Sequence, residues 1–103
     1  MATKKLGVVT PLATTNTTLY TVPALKSTVC VLNICNTNAV AVAVRVAVSA
    51  LATPTIGEWI EYDVSIPANG VLERTALALG SDELVIVYAS AVNVAFRLAG
   101  MEE

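Results

Sequence analysis

From residue 40 to residue 48 every second position is valine, with Ala41, Ala43, Arg45 and Ala47 between them. A period of two is the spacing of a β-strand, whose side chains point alternately to the two faces of a sheet. A helix would scatter those valines around its axis. The same rhythm returns in Val92, Val94, Phe96 and Leu98, with Arg97 on the other face. It returns again in Ile60, Tyr62 and Val64, set against Trp59, Glu61 and Asp63. No segment sustains a 3.6-residue period, so the chain reads as all-β.

Turn residues cut this pattern into short pieces. Asn36-Thr37-Asn38, the Pro54 loop, Pro67-Ala68-Asn69-Gly70 and Gly80-Ser81-Asp82 each separate two apolar runs, and Asn-Gly is a strong turn dipeptide. The expected strands are 6–10, 17–22, 28–36, 39–49, 58–65, 71–79, 83–89 and 91–99. About eight short strands in 103 residues predict one domain, a sandwich or barrel, and the expected fold is a single antiparallel β-sandwich of jelly-roll-like form. Residues 19–103 form its body, and residues 1–18 an N-terminal arm of the same domain. The arm is rich in threonine, with Pro11 and only Leu6, Val8, Val9 and Leu12 as apolar anchors. It is expected to add to a neighbour's sheet edge through Leu6, Val8 and Val9, with Lys4 and Lys5 meeting acidic residues there. Its removal is expected to leave the sandwich folded.

The chain also resembles itself. Residues 21–27 line up with 75–81, Val31 with Val85 and Leu32 with Ile86; then 40–47 line up with 92–99, where Arg45 meets Arg97. Two such copies facing each other would make a sandwich.

Composition narrows function. Hydrophobic residues make up 55% and charged residues 14%, against charged usage of about 25% in ordinary domains. One small sandwich has one interior, so the excess of alanine and valine is expected between subunits, on the small-residue face of Ala41, Ala43 and Ala47 or its loop neighbours. Histidine is absent, which removes the commonest general base and the commonest metal ligand together. The net charge is −2 without a basic stripe, so no nucleic acid is expected. Prolines and threonines interrupt Leu6 to Leu25, and asparagines interrupt Ser27 to Val44, so neither reads as a membrane span. Leu6 to Val9 is too short for the core of a secretory signal. A soluble protein is expected.

Cys30 and Cys35 share one predicted strand. Five residues span about 16 Å with the side chains on opposite faces, beyond the roughly 7 Å Cα separation of a disulfide. Two free thiols follow, with Cys30 buried. Glu61 and Asp63 are the only paired carboxylates placed for acid–base work, and they read as solvent-facing charges beside a loop. No metal, cofactor or catalytic set is expected. Arg45 and Arg97 are lone charges in apolar strands, and either form interface ion pairs, with Glu61, Glu73 or Asp63 as partners, or keep an outer face wet. Trp59 is either an exposed interface anchor or a loop-covered core residue.

Leu19-Tyr20-Thr21-Val22-Pro23-Ala24, Leu32-Asn33-Ile34-Cys35-Asn36, Trp59-Ile60-Glu61-Tyr62-Asp63, Pro67-Ala68-Asn69-Gly70, Val87-Tyr88-Ala89-Ser90 and Gly100-Met101-Glu102 follow one another without large gaps. Taken in that order, they resemble a family of small tailed-phage virion proteins. The chain departs from the family pattern at Leu25-Lys26, where a Gly-Lys turn is the rule. The resemblance implies a sandwich that decorates or cements a capsid, commonly as a homotrimer against the major capsid protein or another virion protein. It would be made in the host cytoplasm and end on the virion surface. Interface candidates are Lys4, Lys5, Leu6, Val8, Val9, Arg45, Trp59, Glu61 and Arg97. A tail-associated or carbohydrate-binding module, using the loop around Trp59 and Tyr62, is the alternative expectation.

Overall fold

Alternation becomes eight strands in the computed structural model, which describes residues 4–103. These are β1 (Lys4–Val9), β2 (Thr17–Thr21), β3 (Thr28–Asn36), β4 (Val42–Ser49), β5 (Trp59–Ile66), β6 (Val71–Leu79), β7 (Leu84–Ala89) and β8 (Val94–Glu102), with a single 3-10 turn at Ile56–Glu58. Sheet A runs β1-β8-β3-β6 and sheet B runs β2-β7-β4-β5, and every pairing is antiparallel. That order is a jelly roll.

The predicted repeat has a counterpart in this topology. Replacing each strand of sheet A by the strand four later gives β5-β4-β7-β2, which is sheet B read backwards. The two halves do not face each other as separate sheets, as the sequence led us to expect. Each sheet alternates strands from both halves. The sequence alignment also slips by one residue in β3 and β7, because Val31 points outward while Val85 is fully buried. A slip of one exchanges the faces of a strand, so Leu32 matches Val87 and Asn33 matches Tyr88.

The valines predicted to share a face form the interior. Val44 and Val46 of β4 meet Leu32 and Ile34 of β3, Val85 and Val87 of β7, and Phe96 and Leu98 of β8 in one buried cluster. Each such side chain contributes about 1.5–3 kcal/mol on burial. At Gly100 the sandwich has no room for a side chain, since a Cβ there would lie 2.6 Å from the Cα of Cys30.

Both central pairs, β3 with β8 and β4 with β7, keep an unbroken register. All four edge strands carry a bulge or irregularity against their neighbours. Bulged edges are poor templates for an added strand. The arm is corrected accordingly. Residues 1–3 lie outside the described residues, but Lys4–Val9 pair with the chain's own β8, Leu6 and Val9 pack on the core, and Pro11 is buried. Gly7 abuts the backbone of Leu19.

Asn36 ties the loops at one end. It is fully buried, and its Nδ2 donates to the carbonyls of Val40 at 2.9 Å, Ile66 at 3.1 Å and Pro67 at 3.0 Å. Its Oδ1 accepts from the backbone and side-chain N–H groups of Asn38. Connections β1–β2, β3–β4, β5–β6 and β7–β8 gather there, and the other three gather at the opposite end.

Candidate functional site

The two outer faces of the sandwich differ in chemistry. On sheet B, Arg45 stands in the middle of β4 with Tyr88 of β7 as its register partner. On its other side the β4–β5 register slips on both sides of Val46, and Asp63 adopts the left-handed region at φ 51°. The irregularity breaks the alternation of β5, so the sequence neighbours Tyr62 and Asp63 both reach Arg45. The guanidinium lies 4.2 Å from the Tyr62 ring centre and 4.3 Å from that of Tyr88. Its Nε donates to Asp63 Oδ1 at 2.6 Å and its Nη2 to Oδ2 at 3.3 Å. Two rings and a bidentate carboxylate satisfy the cation within its own chain. Hydrogen bonding to Asp63 raises the Arg45 guanidinium above its ordinary pKa.

Beside this cluster a cleft of about 520 Å³ is lined by Ile56, Trp59 and Tyr62. The Trp59 and Tyr62 rings meet edge to face at 5.5 Å, the geometry that ring quadrupoles favour. Trp59 is half-buried and Ile56 is almost wholly exposed. The 3-10 turn beneath is pinned by Glu58, whose Oε1 accepts the Thr55 N–H at 2.7 Å and the hydroxyls of Ser49 at 3.0 Å and Thr55 at 3.1 Å. Those bonds, the one from the Thr55 backbone foremost, hold the Glu58 carboxyl below its ordinary pKa.

Sheet A presents rows of small aliphatic side chains instead. At one end Val29 lies between Met101 and Ala78. Next comes Val31 beside Ala99. At the far end Cys35 lies between Ala95 and Val71. The row between them is polar, with Asn33 flanked by Arg97 on β8 and Glu73 on β6, and the Val31 row ends on β1 at the exposed Lys5. Val29, Val71 and Met101 are exposed at 54%, 64% and 42%. Among the described residues, neither Arg97 nor Glu73 has an ion pair or hydrogen bond.

The candidate residues therefore separate. Lys4, Lys5, Leu6, Val8 and Val9 all lie on β1; Lys5 and Val8 are exposed, whereas Leu6 and Val9 serve the core. Arg45 pairs with Asp63, one of the partners the sequence offers, and does so within its own chain. Glu61 accepts from Arg74 Nη1 at 3.2 Å, linking the β5 edge of sheet B to the β6 edge of sheet A. Both carboxylates weighed for acid–base work are thus held by arginines, and they face different ones. Of the small-residue face, Ala47 is fully buried and Ala43 half-buried, while Ala41 and the loop neighbours Val40 and Leu51 are exposed. Arg97 stays exposed. Glu73 is one of the three carboxylates the sequence offers as partners for the two arginines, but its place in one row with Asn33 and Arg97 is a matter of register, which one sequence does not print.

The cysteines are free and in one strand, Cys30 buried and Cys35 half-buried. Burial pushes the Cys30 thiol up to about 11. Among the described residues no group of three or more His, Cys, Asp or Glu side chains is placed to hold a metal ion, and no helix is long and apolar enough to cross a membrane. No family model matches the chain, and no curated protein or solved structure shows significant similarity to it.

Proposed function

We propose that this chain is a non-catalytic structural protein of a phage particle, a decoration or cement subunit that works through contacts with copies of itself and with the shell. One observation carries the reading: apolar side chains are exposed on several surfaces of a domain whose interior is already full. On the outer face of sheet A they are Val8, Val29, Val71 and Met101. They also stand at the loop tips of both ends, Leu12, Val40 and Val92 at one and Leu25, Leu51 and Ile56 at the other. A monomer rarely leaves so much apolar surface in water, and contiguous patches mark protein contacts. The jelly roll is common to capsid proteins and lectins, so fold by itself decides between neither. The family resemblance in the sequence favours the capsid. Purified particles from the source of this chain should contain it by mass spectrometry, and a cryo-microscopy map should hold its eight-stranded sandwich on the shell. Its absence from the particles overturns the proposal.

A second reading rests on the cleft of Ile56, Trp59 and Tyr62, where the half-buried Trp59 and the exposed Tyr62 offer aromatic contacts to a sugar ring. Titration calorimetry with a panel of oligosaccharides tests it, with Trp59→Ala as the control expected to abolish any signal. Heat that survives that substitution places the binding elsewhere.

A further inference from the structure

We propose that the outer face of sheet A pairs with the same face of a second copy about a two-fold axis running along β3. This rests on reading that face as a protein contact, and it names the partner. Three features of the face are self-complementary.

Arg97 and Glu73 flank Asn33 on opposite sides, roughly 9.6 Å apart at two strand spacings. A two-fold axis above β3 exchanges left for right and leaves position along the strand unchanged. Arg97 of one copy then stands over Glu73 of the other, and the reciprocal pair forms at the same level. Among the described residues neither charged side chain has a partner. The residue on the axis is Asn33, whose amide has both donor and acceptor and can bond to its own image. The same operation sets each apolar row over itself. Val29 with Met101 meets its copy at one end, and Cys35, Ala95 and Val71 meet theirs at the other. Small side chains allow sheets to stack at about 10 Å with strands within about 30° of each other.

Sheet B offers no such match, because its central arginine is already enclosed by Tyr62, Tyr88 and Asp63. The bulged edges make pairing by strand addition unfavourable. An isologous contact of this kind closes at two copies, whereas the family resemblance implies three.

Sedimentation velocity and native mass spectrometry on the full chain test the pairing, using Arg97→Glu and Glu73→Arg. Both positions are exposed, so both variants are expected to keep the wild-type circular dichroism spectrum. The wild type should run at twice the chain mass, and each variant alone at the monomer mass. Mixing the two variants in equal amounts should restore a dimer holding one chain of each, since one then presents two glutamates and the other two arginines. A wild type that runs as a monomer or a trimer overturns the proposal, and so does a mixture without the mixed dimer. A trimer that is still present on particles would leave the virion assignment standing. A dimer absent from particles would do the reverse.

Discussion

Arg45 and Arg97 occupy matching places in the two halves of the chain, at the centre of β4 and of β8, yet they meet opposite fates. Arg45 finds two tyrosines and an aspartate on the strands beside it. Arg97 finds Val8 on one side and Asn33 on the other. Tyr88 and Asn33 are the matching cross-strand neighbours, so one exchange of aromatic for amide separates a satisfied cation from an available one. What an arginine does on a sheet is decided by the strands alongside it. Sheet B has spent its charges on its own cohesion, and sheet A has kept a charge of each sign for something outside.

Both faces depend on one interior, and the largest effect is expected where that interior is tied together. Asn36→Leu removes the buried amide that donates to the carbonyls of Val40, Ile66 and Pro67 and accepts the N–H groups of Asn38, a loss of roughly 2–4 kcal/mol. Urea denaturation should show the midpoint falling, and association should weaken with it. A variant as stable as the wild type would mean that water can replace the amide.

Arg45→Ala against Arg97→Ala is the direct comparison. The first should lower the thermal midpoint and leave association unchanged. The second should leave stability within about 0.5 kcal/mol, as for an unpartnered surface residue, and abolish association. Equal effects of both on the midpoint would dissolve the contrast between the faces.

Thiol chemistry reads the same difference more gently. Cys35, on the outer face of sheet A, should react with a maleimide in the native protein and be slowed several-fold as protein concentration rises. Cys30 should react only on unfolding, being buried, with its thiol held at about 11. Labelling of Cys35 that ignores concentration would uncouple it from the contact.

The smallest effect belongs to Glu58 below sheet B. Its folded pKa lies under its unfolded one, so its stabilisation is present above the unfolded value, near 4.3, and is lost as pH falls through the folded one. Glu58→Gln should flatten the stability curve slightly on that acid side. An unchanged slope would show that the Thr55 and Ser49 hydrogen bonds tolerate a neutral amide.

Much of this fold was legible because valine alternates with small residues and turns are marked by Asn, Pro and Gly. Strands 28–36 and 71–79 match their predicted bounds, and the others shift by a few residues. The arm was misjudged because β1 is short and threonine-rich around it, and its pairing with β8 lies almost the whole chain away. Asn36 reads as a turn residue; only the fold shows that it points inward among carbonyls. Tyr62 and Asp63 should face opposite sides by alternation, and the irregular β5 sends both to Arg45. The open face was missed for the same reason. A single strand tells which residues share a side, but the row Arg97-Asn33-Glu73 exists only across three strands that the sequence does not align.

The interleaving of the halves has a consequence for how the molecule is made. β8 occupies an interior position of sheet A, between β1 and β3, so neither of those strands has its inner neighbour until Val94 and the residues after it have left the ribosome. At roughly 5–20 residues per second β1 waits several seconds for its only partner in the sheet. Through that interval the nascent chain holds the valines of β3 and β4 without a lid over them. Translation order therefore favours waiting over stepwise closure, and a ribosome stalled before β8 would display an aggregation-prone, half-built layer.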